Sequence, residues 1–384
     1  MQGDNQPVQM KLLLVAILLI VLSNVCAAQN EFSNVAVSGG LIFNTRTEGI
    51  ALLDNKLSFG QFAVSDREGR LLFYGDASYV YDRNGTLIYC SSEHRCWSGS
   101  TCVAVNPKND NQYYIFTSYY LPHYKEYDNI LFVSRCLIIT DNNGVLTIEE
   151  TKLNEFEDNY LTPGCCFARI MPHADGKRLW LLYYYDRSFV SCLMDDGIII
   201  DTVKSPSDIF ATFVDEHGEI TTNNLKTNPA YNMIVLGKNA IVDFDQSTGK
   251  VNVNDSFVVP DNAFTYDFSP LGKYFYSSTL KDGNVIISRH KVSDLNAGIK
   301  DNGETIFTGR TIGSNNFFRH FDSVIYIFHS GYISKIENPD SEIPSFTYNA
   351  VALPKKSGIT VAANYLAPPV IPCVAPPAPR IICE

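Results

Sequence analysis

SPLGKYFYSST (residues 269–279), followed by KDGNVIISRHKV (281–292), is the stretch that decides the fold. It opens on a polar turn and runs into an aromatic-rich segment. A second turn at Asp282-Gly283 follows, and then another apolar run. Short runs of aromatic and β-branched residues between such turns predict strands. An Asx-Gly step supplies the positive φ angles of a tight hairpin. The same unit occurs three more times. SDREGRLLFYGD (65–76) precedes SYVYDRNGTLIY (78–89), and NPKNDNQYYIFT (106–117) precedes LIITDNNGVLTI (137–148). PHADGKRLWLLYY (172–184) precedes FVSCLMDDGIII (189–200). Asn84-Gly85, Asn143-Gly144 and Asp196-Gly197 mark the corresponding hairpins.

Self-similarity at roughly 40–70 residues marks a propeller or an array. A lone hairpin pair cannot bury both faces, so the units must pack side by side. A ring does this while leaving only short protected edges. The expectation is an all-β chain forming a single β-propeller of four-stranded blades, seven in number, with six as the alternative. The spans 204–260 and 301–350 carry the pattern less regularly. The leading segment, Val35 to Thr45, is expected to complete the last blade and close the ring. Ser207–Val214 and Val292–Lys300 are the candidates for short helical turns.

Outward from the repeats, the chain divides into three parts. Residues 1–28 read as a secretory signal: Lys11, the apolar run Leu12–Leu22, and small residues ending at Ala28. That run is shorter than the roughly 20 residues of a membrane span, and no second run of membrane length follows. Residues 29–352 hold the propeller, and 353–384 form a proline-rich tail, uncharged from Ser357 to Pro379. The 384-residue chain has a net charge of −11, which disfavours nucleic acid as a partner. In an oxidising compartment Cys90, Cys96, Cys102, Cys136, Cys165, Cys166, Cys192, Cys373 and Cys383 read as candidate disulfide residues. Their connectivity is not deducible from spacing, and the odd number leaves one thiol free or intermolecular.

The repeats carry a further likeness. Phe43-Asn44-Thr45, SDREGRLLFYGD and VYDRNG (80–85), then NDNQYYIFT (109–117), HADGKRLWLL (173–182) and FSPLGKYFY (268–276), resemble the propeller modules of secreted surface proteins of gliding and related bacteria. The resemblance implies a propeller of WD-repeat type, exported to the cell surface or beyond. It brings no catalytic residues. In those proteins a sorting domain often follows, whereas here the proline-rich tail does.

Chemistry is sparse. G-x-S-x-G, H-E-x-x-H and a phosphate-cradling glycine loop are absent, and no cysteine–histidine spacing fits zinc. No catalytic, cofactor or metal residue is therefore assigned. His173, and the acidic groups Glu155, Glu157, Asp158 and Asp195-Asp196, read as solvated or turn residues. Asn84 and Asn254 begin N-glycosylation sequons. The run 113–127 is rich in tyrosine, and Tyr119, Tyr120, Tyr124 and Tyr127 form a candidate contact surface for glycan or protein. The tail is extended by its prolines and apolar, so it tends to find a groove on its own or a neighbouring copy. The expected function is a non-catalytic extracellular structural or binding protein that self-associates through the tail. The alternative is a carbohydrate-active enzyme or glycan-binding lectin with its site at the propeller mouth. When the chain is expressed in a secreting host, mass spectrometry of the exported product should find Gln29 as the first residue. Retention of Leu12–Leu22 in that product would refute the leader assignment.

Overall fold

The computed structural model describes residues 33 to 354 apart from internal stretches, of which 92–98, 123–128, 160–167 and 208–225 are the longest. The leader, the tail beyond Pro354 and the helical candidate at 208–214 lie outside the described residues. Seven antiparallel sheets follow one another along the chain, six of four strands and one of three. Blade 1 is β1 (Asn34–Val37), β2 (Leu41–Asn44) and β3 (Gly49–Leu52). Blade 2 is β4 (Phe62–Ser65), β5 (Leu71–Gly75), β6 (Tyr79–Asp82) and β7 (Leu87–Cys90). Blade 3 is β8 (Gly99–Asn106), β9 (Asn109–Pro122), β10 (Asn129–Asn142) and β11 (Val145–Asn159). Blade 4 is β12 (Ala168–Pro172), β13 (Leu179–Tyr185), β14 (Ser188–Asp195) and β15 (Ile198–Pro206). Blade 5 is β16 (Lys226–Thr227), β17 (Met233–Leu236), β18 (Ala240–Phe244) and β19 (Val251–Val253). Blade 6 is β20 (Ala263–Phe268), β21 (Tyr274–Lys281), β22 (Asn284–Lys291) and β23 (Glu304–Gly309). Blade 7 is β24 (Asn316–Arg319), β25 (Val324–His329), β26 (Tyr332–Glu337) and β27 (Ser345–Ala352). A single described helix, α1 (Val292–Asn296), follows β22, as the sequence pattern indicates.

The first strand of each sheet is the inner one. β1 lies beside β4, β4 beside β8, β8 beside β12, β16 beside β20, and β20 beside β24. Strand alternation then fills the gaps between sheets, because successive side chains leave opposite faces. In β13, Leu179, Leu181 and Tyr183 pack with blade 3. Trp180, Leu182 and Tyr184 of the same strand pack with blade 5. β25 divides likewise: Ile325 and Ile327 face blade 6, and Tyr326 and Phe328 face blade 1. Seven apolar clusters result, one at each interface around the ring. Backbone close approach adds specificity at blades 4 and 5. Trp180 Nε1 donates to Gln246 O at 2.8 Å, and Gly249, at φ +71°, lies where a Cβ would meet the indole at 2.7 Å.

Blade 1 departs from the expectation. Val35 to Thr45 does not complete blade 7. Gly40, at φ +76°, folds the segment back on itself, so β1 and β2 pair with each other and begin a blade of their own. Closure comes from side chains instead. Phe43 is fully buried and packs edge-on against Tyr326 (5.2 Å between centroids) and Phe328 (6.1 Å). Tyr326 Oη donates to Thr45 O (3.3 Å), Thr45 Oγ1 and His320 Nε2 lie 3.1 Å apart, and Lys335 Nζ pairs with Glu48 (2.7 Å). Phe43→Ala should lower unfolding free energy by about 3–5 kcal/mol, the usual cost of emptying a buried phenylalanine site. Denaturant titration checks this, and a loss under 1 kcal/mol would show that the seam is not held by this ring.

Candidate functional site

The inner strands of blades 4 to 7 each contribute one charged side chain to a common site on the axis. β12 supplies Arg169, β16 supplies Lys226, β20 supplies Asp267 and β24 supplies Arg319. Arg169 and Asp267 are buried, at 6% and 3% exposure. The side chains of Lys226 and Arg319 keep 11% and 14%. Lys226 Nζ donates to Asp267 Oδ2 (2.9 Å) and across to Phe317 O of blade 7 (2.6 Å). Arg319 Nη1 donates to Thr227 O of blade 5 (3.0 Å) and stands 4.0 Å from Asp267 Oδ1. Asp267 Oδ1 also accepts from the amide of Phe268 (2.8 Å). Burial pulls the Arg169 guanidinium down to about 10, with Asp267 opposing and Arg319 reinforcing that shift. Burial also lowers Lys226, against the pull of Asp267.

Other buried charges are taken up in interfaces between blades. Arg135 bonds Thr117 Oγ1 (3.1 Å), Tyr89 Oη (2.8 Å) and Ser91 Oγ (2.6 Å), joining blades 2 and 3. Arg289 bonds Glu304 Oε2 (2.8 Å) and Ser341 O (2.7 Å), joining blades 6 and 7. Asp195 pairs with Lys108, and Asp196 Oδ1 accepts from Asn106 Nδ2 (3.1 Å). His173 belongs to a turn, with Nδ1 3.0 Å from Asp175. His290 lies 3.1 Å from Ser277 Oγ and His329 2.8 Å from Ser334 Oγ, but all four residues are buried in the packed blades. Among the described residues no group of three or more His, Cys, Asp or Glu side chains is arranged to hold a metal ion.

For three of the candidate cysteines the structure differs from the disulfide reading: Cys102, Cys136 and Cys192 are buried and not cross-linked. Cys102 and Cys136 both lie opposite Phe116, one on each side of β9. Two strand spacings separate them, roughly 9.5 Å, beyond the ~7 Å that a disulfide spans between Cα atoms. Cys192 joins them in the apolar cluster between blades 3 and 4. Burial raises the Cys102 thiol to about 12 and also raises Cys136, so both behave as core residues. Cys96, Cys165, Cys166, Cys373 and Cys383 lie outside the described residues. So do Tyr124 and Tyr127, whereas Tyr119 and Tyr120 fall in β9. Asn84 is exposed in the β6–β7 turn, open to a glycan. Asn254 is half-buried, and its side chain is engaged: Nδ2 donates to Asp243 (2.8 Å), and Oδ1 accepts from the Ser256 amide (2.9 Å).

Fold and site together define a seven-bladed β-propeller with a cation-rich axis on the side of blades 4 to 7. Among solved structures, the β-propeller domain of Cps50 (Swd1) from Myceliophteria thermophila is 13% identical, with a TM-score of 0.40, over 75% of this chain and 86% of that one. Hsv2 of Kluyveromyces lactis is 11% identical, with a TM-score of 0.39, over 83% and 95%. A candidate 6-phosphogluconolactonase from Bacteroides uniformis is 12% identical, with a TM-score of 0.37, over 73% and 92%. Likeness at that level carries no functional argument, and the fold rests on the seven sheets themselves. No family model matches the chain, and no curated protein does. No described helix is long and apolar enough to cross a membrane.

Burial alone lowers the pKa of His329 below its ordinary 6.5. The ring stacks on Tyr348 at 5.7 Å. The unfolded chain takes up this proton near 6.5, and the folded chain only at a lower pH. The stability contribution is present above 6.5 and is lost as pH falls through the folded value. His329→Gln should therefore flatten the decline of melting temperature between about pH 6.5 and 5. An unchanged slope would place the acid sensitivity elsewhere.

Proposed function

We propose that the protein is a non-catalytic extracellular scaffold: the propeller is a rigid platform, and the tail docks on a neighbouring copy to build an oligomer. The observation that carries this reading is where the tail leaves the ring. β27 ends at Ala352, and Leu353 is pinned by its amide to Gly331 O (2.8 Å). Its side chain is buried with Val35, Leu41 and Phe43 of blade 1, and half-buried Ile50 of β3 packs against them. The tail therefore departs beside the one sheet with three described strands. Leu52 of β3 is 57% exposed at that outer strand. An open strand edge is a template for an added strand. The tail run GITVAANYL (358–366) is uncharged and free of proline. Nine extended residues reach about 30 Å, ample for a four-residue edge. The leader reading and the exposed sequon at Asn84 support an extracellular setting.

The test is sedimentation of the mature protein with and without residues 357–384. The full chain should form concentration-dependent oligomers, and the truncated chain should stay monomeric with an unchanged melting temperature. A full chain that is monomeric at every concentration would end the self-assembly reading.

A further inference from the structure

We propose that the outer edge of blade 1 is completed by reciprocal exchange: residues 358–366 of each of two copies form the fourth strand of the other's blade 1, and the assembly is a closed two-fold dimer. This rests on the tail-docking reading and adds to it the site, the stoichiometry and the symmetry. β3 is the outermost of the three described strands of its sheet. Leu53 N donates to Gly40 O (2.7 Å), continuing the register in which Ala51 stands opposite Ile42. In an antiparallel ladder alternate residues bond to their partners. Gly49 and Ala51 therefore turn toward β2, and Ile50 and Leu52 direct their N–H and C=O groups outward. Among the described residues no strand takes up that edge. Leu52 is 57% exposed, although Ile50, two residues earlier on the same face, packs into the seam.

Within the chain, elimination leaves the tail as the occupant. Residues 53–61 join β3 to β4, and Leu57 is buried between blades 1 and 2 with Ala36, Ile42 and Tyr74. That link makes the same outer-to-inner crossing as residues 254–262 between blades 5 and 6, so it has no length to spare for a strand. The chain ahead of β1 enters on the inner side of the sheet, where Ser33 O accepts from the Thr45 amide (2.8 Å). In the tail run, Ile359, Val361, Ala363 and Tyr365 alternate with Thr360, Ala362 and Asn364, the pattern of a strand with one apolar face. Geometry then sets the symmetry. Leu353 is seated in the same cluster that Ile50 packs against. The stretch from there to Gly358 reaches no more than about 18 Å. A tail that docks on a neighbour therefore holds the neighbour's β3 beside its own. The neighbour's Leu353, close to that edge in turn, brings the second tail to the first β3. Such self-complementary contacts close as a two-fold pair. A head-to-tail chain would crowd a third propeller into the same seam.

The experiment is sedimentation equilibrium and native mass spectrometry of the mature chain, of a chain ending at Lys356, and of Leu52→Pro. The full chain should reach a limiting mass of two copies. Proline is tolerated at an edge position whose N–H faces solvent. Leu52→Pro should therefore keep the melting temperature while raising the dimer dissociation constant about tenfold or more. Val361→Pro, in the tail run, should do the same, and it decides if Leu52→Pro does not fold. At concentrations where each is monomeric alone, the chain ending at Lys356 and Leu52→Pro should pair one to one when mixed, because one keeps the edge and the other keeps the tail. A mass that grows past two copies with concentration overturns reciprocal exchange and leaves tail docking standing. A dimer lost on truncation but unchanged in folded Leu52→Pro overturns the blade 1 edge as the site. A full chain that is monomeric at every concentration ends both readings.

Discussion

Burial of both faces of nearly every inner and middle strand is the constraint on which this molecule depends. A sheet with one wet face tolerates a polar residue at every second position. Here β13 and β25 have no such freedom, because each strand feeds two clusters at once. Trp180 and Leu181 are neighbours in sequence yet belong to different interfaces. A register slip by one residue would exchange the two faces and misfit both interfaces together. Every interface holds at least one buried aromatic ring among its aliphatic residues. Edge-on pairs such as Phe268 with Phe275 (5.0 Å) and Tyr184 with Phe189 (5.1 Å) fill wedge-shaped gaps with few rotatable bonds. Outer strands are under less demand, and Ile198 and Ile200 of β15 are accordingly exposed.

The turns were the most legible part of the fold. Asn143-Gly144, Asp196-Gly197 and Asp282-Gly283 each adopt positive φ at both residues, as tight hairpins require. At Asn84-Gly85 only the glycine does. There Asp82 Oδ1 accepts from the amides of Asn84 and Thr86, and the register shifts between Val80 and Tyr81. The same dipeptide thus serves two different turns, although an aspartate stands two residues before the asparagine in each: Asp82 accepts from the amides of Asn84 and Thr86, Asp141 from that of Gly144. The blade count was legible for the same reason, whereas the closure was not. Val35 to Thr45 reads as one leading strand, and the positive φ at Gly40, the second of two adjacent glycines, makes it two.

The axial site was hidden from sequence for a physical reason. Arg169, Lys226, Asp267 and Arg319 span 150 positions and sit in four strands that share no motif. Only the ring brings them together. A faint signal does exist: ARIMP, TYDF and FFRH each hold one charge inside an otherwise apolar or aromatic run. Such a charge must find a partner on folding, and four on consecutive inner strands have a common place to find it. Three of the cysteines read as candidate cross-links, Cys102, Cys136 and Cys192, serve instead as small apolar side chains in one interface.

Closure of the ring by side chains has a mechanical consequence. Ser33 O is bonded to the Thr45 amide in blade 1, and Leu353 is seated in the same seam, so the two ends of the described ring leave from neighbouring positions. Among the described residues no strand of blade 7 pairs with blade 1. A pull applied through these ends loads the contacts of Phe43 and Tyr326 one after another, without a ladder of backbone bonds to resist in shear. Six interfaces would stay shut while the seventh parts. Tension on the tail thus acts as a latch release at one chosen joint.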